Sequence, residues 1–291
     1  MKSSLVLVLA LVVLTAGCRS TSSPGSYDSH ETRDGRELEE AESAAPVTAG
    51  SVDASPGVLP PLAAEWMERI DLPGGQVVNV APPVGSTERR PVIVAVHGAV
   101  DDPALMCSAW RLVADVYPFV VCPGGAPLGG SKYVWRSSDA IDRSIDAALA
   151  AVRARWGERV HQGPAVYVAF SQGANMAGPV LGRRPGRFAR AVLTEGGYGA
   201  FAELASAKAY AAAGGERVLF TCSQSGCAGA FERSHRSLTR AGVDVRVSYS
   251  GPHGHSIPPP VRASLNDALP WVIEGLAGWE TYAAAPKLST H

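Results

Sequence analysis

Ser171 stands at the break between an apolar, β-rich run, Ala165-Val166-Tyr167-Val168-Ala169-Phe170, and a stretch of helical character that begins Gln172-Gly173-Ala174-Asn175. At a sharp strand-to-helix turn a serine is held in a strained conformation with Oγ aimed out of the sheet. Only small residues two places before and after it let strand and helix come close enough. Ala169 and Gly173 fill those two places. A serine hydroxyl is a weak nucleophile until a base takes its proton and later returns it to a leaving group. Two histidines are available for that task in Gly251-Pro252-His253-Gly254-His255-Ser256-Ile257-Pro258, and a third, His97, opens the turn His97-Gly98-Ala99-Val100-Asp101-Asp102. The backbone N–H of Gln172, just after the serine, and that of Ala99, beyond the His-Gly turn, are the expected oxyanion-hole donors.

These residues need a scaffold, and from about Ile70 onward apolar runs alternate with helical stretches. That alternation predicts an α/β fold with a mostly parallel central sheet covered by helices on both faces. Strands are expected over 77–81, 92–97, 119–122, 165–170, 190–194, 217–222 and 243–249, and helices over 103–115, 138–156, 172–181, 201–213, 228–241 and 259–276. Asp101 or Asp102 caps the first helix, with Pro103 in its first turn. A single domain over 62–278 is expected, followed by a tail over 279–291.

In this order the His-Gly turn, the Ala-Phe-Ser-Gln-Gly elbow and the Gly254-His255-Ser256-Ile257-Pro258 segment resemble the α/β-hydrolase superfamily, and more narrowly its carboxylesterase, acyl-thioesterase and phospholipase branch. The resemblance covers about residues 70–277. It implies the α/β-hydrolase fold, Ser171 as nucleophile and His255 rather than His253 as base. His97 is read as a residue that fixes its loop by hydrogen bonds. No metal and no organic cofactor are implied.

The third member of the relay departs from the branch. An aspartate usually follows the penultimate strand, but this chain has Thr221-Cys222-Ser223-Gln224-Ser225-Gly226-Cys227-Ala228-Gly229-Ala230 there, without a carboxylate. Three readings stay open. Glu195, in Thr194-Glu195-Gly196-Gly197-Tyr198, takes the acid role from the end of the neighbouring strand, as in some α/β-hydrolases. Alternatively a Ser-His dyad is oriented by a backbone carbonyl or by Glu232. The last is a non-catalytic descendant that binds a small molecule, peptide or cell-wall component. The long connection 123–136 should border the site. Tyr133 and Trp135 within it form either an acyl wall or part of the core, with Lys132 and Arg136 near the rim. No segment is long enough for a large lid. The expected substrate is a small-molecule carboxylic ester or thioester.

The chain has 291 residues, 46% hydrophobic and 18% charged, with a net charge of -1 and no basic patch, so nucleic acid is not an expected partner. Met1-Lys2, the apolar run over 5–14 and Thr15-Ala16-Gly17-Cys18 read as a signal peptide, residues 1–17, whose end resembles the bacterial lipoprotein box. That resemblance implies lipid on Cys18, a membrane partner held through acyl chains, and a place in the bacterial cell envelope. Arg19 in place of aspartate points to the outer membrane. A plain secretory signal is the alternative. Residues 18–61, rich in Ser, Gly, Pro, Ala and Glu, read as a flexible linker. Four further cysteines in an exported chain suggest disulfides, Cys107 with Cys122 and Cys222 with Cys227. One cysteine of each pair ends a strand and its partner lies on the adjoining connection; free thiols in apolar strands are the alternative.

Overall fold

The computed structural model describes residues 58–285. The expected signal segment, Cys18, the expected linker up to residue 57 and residues 286–291 lie outside the described residues. In chain order the elements are β1 (Glu68–Asp71), β2 (Val77–Ala81), β3 (Val92–Val96), α1 (Pro103–Ala114), β4 (Phe119–Pro123), β5 (Ala126–Gly129), β6 (Lys132–Val134), α2 (Ser138–Trp156) and β7 (Ala165–Phe170). They continue with α3 (Gln172–Asn175), α4 (Ala177–Gly182), β8 (Phe188–Thr194), α5 (Leu204–Ala212), β9 (Arg217–Cys222), α6 (Cys227–Ala230), α7 (Glu232–Arg240), β10 (Asp244–Tyr249) and α8 (Pro259–Ile273).

Eight strands form one sheet in the order β1-β2-β4-β3-β7-β8-β9-β10. β1 and β4 run antiparallel to β2, and all other neighbours are parallel. The valine-rich runs of β3 and β4 are buried along their whole length. Continuous apolar runs of this kind are what a parallel sheet covered on both faces requires. One face carries a core around Ile141, Ile145, Tyr167, Phe188, Tyr210 and Phe231, beneath α2, α4, α5 and α7. The other carries Met106, Trp110, Val113, Val261 and Leu265, contributed by α1 and α8. Asp102 caps α1 by accepting from Ala104 N at 2.8 Å, with Pro103 at the first helical position.

Every expected strand is present, and three arise that the apolar pattern does not announce. β1, Glu-Arg-Ile-Asp, alternates intermediate and exposed residues at the sheet edge, so it lacks a buried run. β5 and β6 pair as an antiparallel hairpin inside the glycine-rich connection 123–136. Two predicted helices are broken. The one over 172–181 divides at Met176 into α3 and α4, and the one over 228–241 divides at Phe231 into α6 and α7. Helix α5 starts later than expected, at Leu204, and α8 ends at Ile273, three residues after the internal Pro270. Packing continues beyond residue 278: Trp279 stacks on Tyr117 with centroids 5.5 Å apart, and Tyr282 meets the same ring edge-on at 5.2 Å.

Both expected disulfides are present. Cys107 on α1 joins Cys122 in β4, with Cα atoms 5.7 Å apart, and Cys222 at the end of β9 joins Cys227 at the start of α6, at 6.3 Å. Each clips a strand end to the helix beside it.

Candidate active site

Parallel strands deliver their carboxyl ends to one edge of the sheet, and the residues of interest gather there. Ser171, between β7 and α3, has φ +49° and ψ -110°, a backbone conformation costing about 1–3 kcal/mol that persists only where the surroundings enforce it. The enforcement is steric. A Cβ on Gly173 would lie 2.7 Å from Val96 Cγ1 and 2.8 Å from the His97 carbonyl oxygen, so the small residue two places on lets α3 pass β3. On the other side a Cβ on Gly196 would lie 2.5 Å from the Ser171 carbonyl oxygen. The turn after β8 is thereby drawn against the elbow.

His255 comes from the loop between β10 and α8. Its Nε2 lies 2.8 Å from Ser171 Oγ, and Phe170 packs against its ring with centroids 4.9 Å apart. His253, the competing histidine, folds back over Gly251, where an added Cβ would be 3.1 Å from its Nε2, and its backbone N–H donates to the Ser223 carbonyl. Of the two, His255 is the one brought to the serine.

Glu195, at the end of β8, is 1% exposed and has φ +53°. Its Oε2 lies 3.8 Å from His255 Nδ1. The carboxylate is gripped by the segment after β9, where the family pattern would place an aspartate. Ser223 donates its backbone N–H and, at 2.7 Å, its hydroxyl to Oε1, and Gln224 Nε2 donates to Oε2 at 2.8 Å. Asn175 Oδ1 accepts from Gly197 N at 2.7 Å and pins the turn that carries the glutamate. Glu232 is placed elsewhere, on α7, paired with Arg236. Ser223, Gln224 and Asn175 were not legible as site residues. Uncharged polar side chains carry no motif, and their value here comes from a carboxylate far away in sequence.

Of the two residues expected to donate to an oxyanion, Gln172 opens α3 directly after Ser171, and Ala99 lines the same cavity as Ser171. The loop carrying Ala99 is rigidly tied. Gly125 N–H donates to His97 Nε2 at 3.0 Å, which places the ring proton on Nδ1, 2.6 Å from the Gly98 carbonyl. Burial pushes the His97 pKa below the ordinary histidine value, consistent with a neutral ring. Asp101 accepts from Gly98 N at 3.2 Å.

Tyr133 and Trp135 belong to the core rather than to an acyl wall. Trp135 stacks on His97 at 4.5 Å between centroids and donates its indole N–H to the His97 carbonyl. Its backbone exchanges two hydrogen bonds with the Gln172 side-chain amide. Lys132 and Arg136 do not line the cavity beside Ser171. That cavity, about 560 Å³, is walled by Val100, Leu105, Met106, Leu112, Phe170 and Ile257, with Arg262 also on its lining. A larger one of about 660 Å³ lies along α8 and the segment around Trp279, away from this chemistry. Among the described residues no cluster of histidine, cysteine and carboxylate side chains is placed to hold a metal ion.

Chemically, the arrangement offers a hydroxyl on a strained turn, hydrogen-bonded to an imidazole and beside a largely apolar cavity, with a buried carboxylate behind the imidazole. No family model and no curated protein sequence matches the chain. Solved structures do. Esterase PE8 is 20% identical with a TM-score of 0.52, over 66% of this chain and 97% of that one. An S-formylglutathione hydrolase from Agrobacterium tumefaciens is 15% identical with a TM-score of 0.54, over 72% and 95%. An acylaminoacyl peptidase from Pyrococcus horikoshii is 16% identical with a TM-score of 0.53, over 72% of this chain and 41% of that one. Strand order, elbow position and these likenesses agree that the chain has the α/β-hydrolase fold.

Proposed function

We propose that this protein is a serine hydrolase that cleaves carboxylic esters or thioesters of short or medium acyl chains, working outside the cytoplasm while tethered to a membrane. The observation that carries the reading is the 2.8 Å contact between His255 Nε2 and Ser171 Oγ at a positive-φ elbow beside an apolar cavity. In the proposed reaction His255 takes the hydroxyl proton as Oγ attacks the acyl carbon. The Gln172 and Ala99 amides bind the oxyanion. Imidazolium then protonates the departing alcohol or thiol, and water, deprotonated by the same ring, releases the acid. The names of the similar structures, esterase and S-formylglutathione hydrolase, fit this class of reaction, but the site geometry is what supports it here.

The acyl-length preference rests on the cavity and on the hairpin beside it. The β5–β6 hairpin is not a free flap, because Tyr133 and Asp101 exchange two backbone hydrogen bonds, at 2.8 and 3.2 Å, that fasten it to the oxyanion loop. A fluorophosphonate probe is expected to label the wild-type protein and not Ser171→Ala. Across p-nitrophenyl esters from acetate to palmitate, kcat/KM should peak at a short or medium acyl group. Absence of labelling in folded protein would favour the binding-module reading, and a long-chain optimum with a jump in rate at substrate aggregation would overturn the acyl-length preference.

The tether rests on the sequence of residues 1–19 alone. Cys18→Ser is expected to move the protein from the membrane fraction to the soluble exported fraction. Retention on membranes after a high-salt wash, with unchanged N-terminal processing, would overturn the anchor and the outer-membrane placement that depends on it.

A further inference from the structure

The inference concerns the gap between His255 and Glu195, and its kinetic arm rests on the hydrolase reading above. A neutral imidazole can act as base toward Ser171 only when its proton is on Nδ1, leaving the Nε2 lone pair to face Oγ–H. Nδ1–H then needs an acceptor, and Glu195 Oε2 is 3.8 Å away, too far for a hydrogen bond. Gln224 occupies the intervening place. Its Nε2 lies 2.8 Å from Glu195 Oε2 and 3.1 Å from His255 Nδ1.

The orientation of that amide follows from its partner. An amide oxygen in this place would face an ionised carboxylate oxygen at 2.8 Å, so the NH₂ end is the one that fits. One of its hydrogens goes to Glu195 and the other points at Nδ1, which must therefore be the bare nitrogen. The ring proton is left on Nε2 and is donated to Ser171 Oγ. In this state Ser171 has no base. An imidazolium formed here would also set Nδ1–H against the amide hydrogens at 3.1 Å.

We propose that Gln224 is a positioning residue that latches the relay in the wrong tautomer by competing with His255 for Glu195 Oε2, so that turnover requires its amide to withdraw and Nδ1–H to close on the carboxylate. Oε2 is the carboxylate oxygen that faces Nδ1, whereas Oε1 is turned to Ser223 and accepts its backbone N–H. Gln224 is also on a short tether. The Cys222–Cys227 disulfide closes the loop that carries it, with five residues of sequence separation, which confines withdrawal to side-chain rotation and small loop shifts.

Gln224→Met keeps the length of the side chain and removes both donors. In wild-type protein carrying ¹⁵N-labelled histidine, with His255 assigned by difference from His255→Asn and the ring held neutral, Nε2 is expected to be protonated and Nδ1 bare. In Gln224→Met the proton should move to Nδ1. The variant should also show kcat raised about 10- to 100-fold, the worth of one hydrogen bond to a carboxylate, with KM unchanged because Gln224 does not line the cavity. A wild-type ring protonated on Nδ1, or a folded Gln224→Met whose kcat is unchanged or lower, overturns the latch. If Ser171 takes no fluorophosphonate label in either protein, the hydrolase reading fails while the nitrogen shifts still decide whether the amide sets the tautomer.

Discussion

Ser171→Ala and His255→Ala are each expected to lower kcat by about 10⁶-fold, with the double variant little worse than either, because nucleophile and base act as one unit. In the proposed reaction the Oγ proton passes to Nε2, 2.8 Å away, so losing either atom removes the same step. What survives is the contribution of the oxyanion amides and the cavity, and KM should change little. Single-turnover rates on an activated ester, with circular dichroism to show that both variants are folded, check this. Additive losses, or hydrolysis intact in Ser171→Ala across ester and thioester substrates, would remove Ser171 from the chemistry.

Glu195→Gln is expected to cost about 10²- to 10⁴-fold in kcat, since an acid that orients the imidazole and stabilises imidazolium contributes on that scale. The amide can still accept from Ser223 through its oxygen, so the β8 turn should keep its shape and the unfolding midpoint should fall only modestly. It cannot offer a negative charge to Nδ1–H, which is the part of the glutamate that the proposed reaction would use. Unchanged kcat in folded Glu195→Gln would leave the dyad reading, with His255 oriented by other means.

Much of the scaffold follows from local sequence. Runs such as Val92-Ile93-Val94-Ala95-Val96 are apolar at every position, which suits only a strand covered on both faces. The alternation of such runs with helices then restricts them to a mostly parallel sheet. The elbow is equally local: its strand, its small flanking residues and its helix are contiguous, so the strain at Ser171 could be anticipated from the residues around it. The disulfides belong here as well, because each joins a strand end to a helix adjacent in the chain and spans few residues.

Elements without a local signature were not legible. β1 has four residues and no buried run, and the β5–β6 hairpin lies in a segment whose glycines suggest only loop. Tyr133 and Trp135 could equally have faced a substrate or the core, because an aromatic ring suits both. Only the packing against His97 settles it, at 4.5 Å between the Trp135 and His97 centroids.

Sequence by itself therefore determined the buried strands of the sheet, the elbow, the cysteine pairs and the three stations that carry Ser171, Ala99 and His255, because each is written in contiguous residues with a fixed steric or covalent requirement. Tertiary structure alone decided what stands behind the histidine. Glu195, Ser223, Gln224 and His255 come from three separate strand ends, and a 2.8 Å bond between Gln224 and Glu195 across 29 residues of chain leaves no periodicity or spacing in the sequence. Which nitrogen of His255 holds the proton is set by that junction, since hydrogen-bond direction depends on where two distant loops place their donors and acceptors.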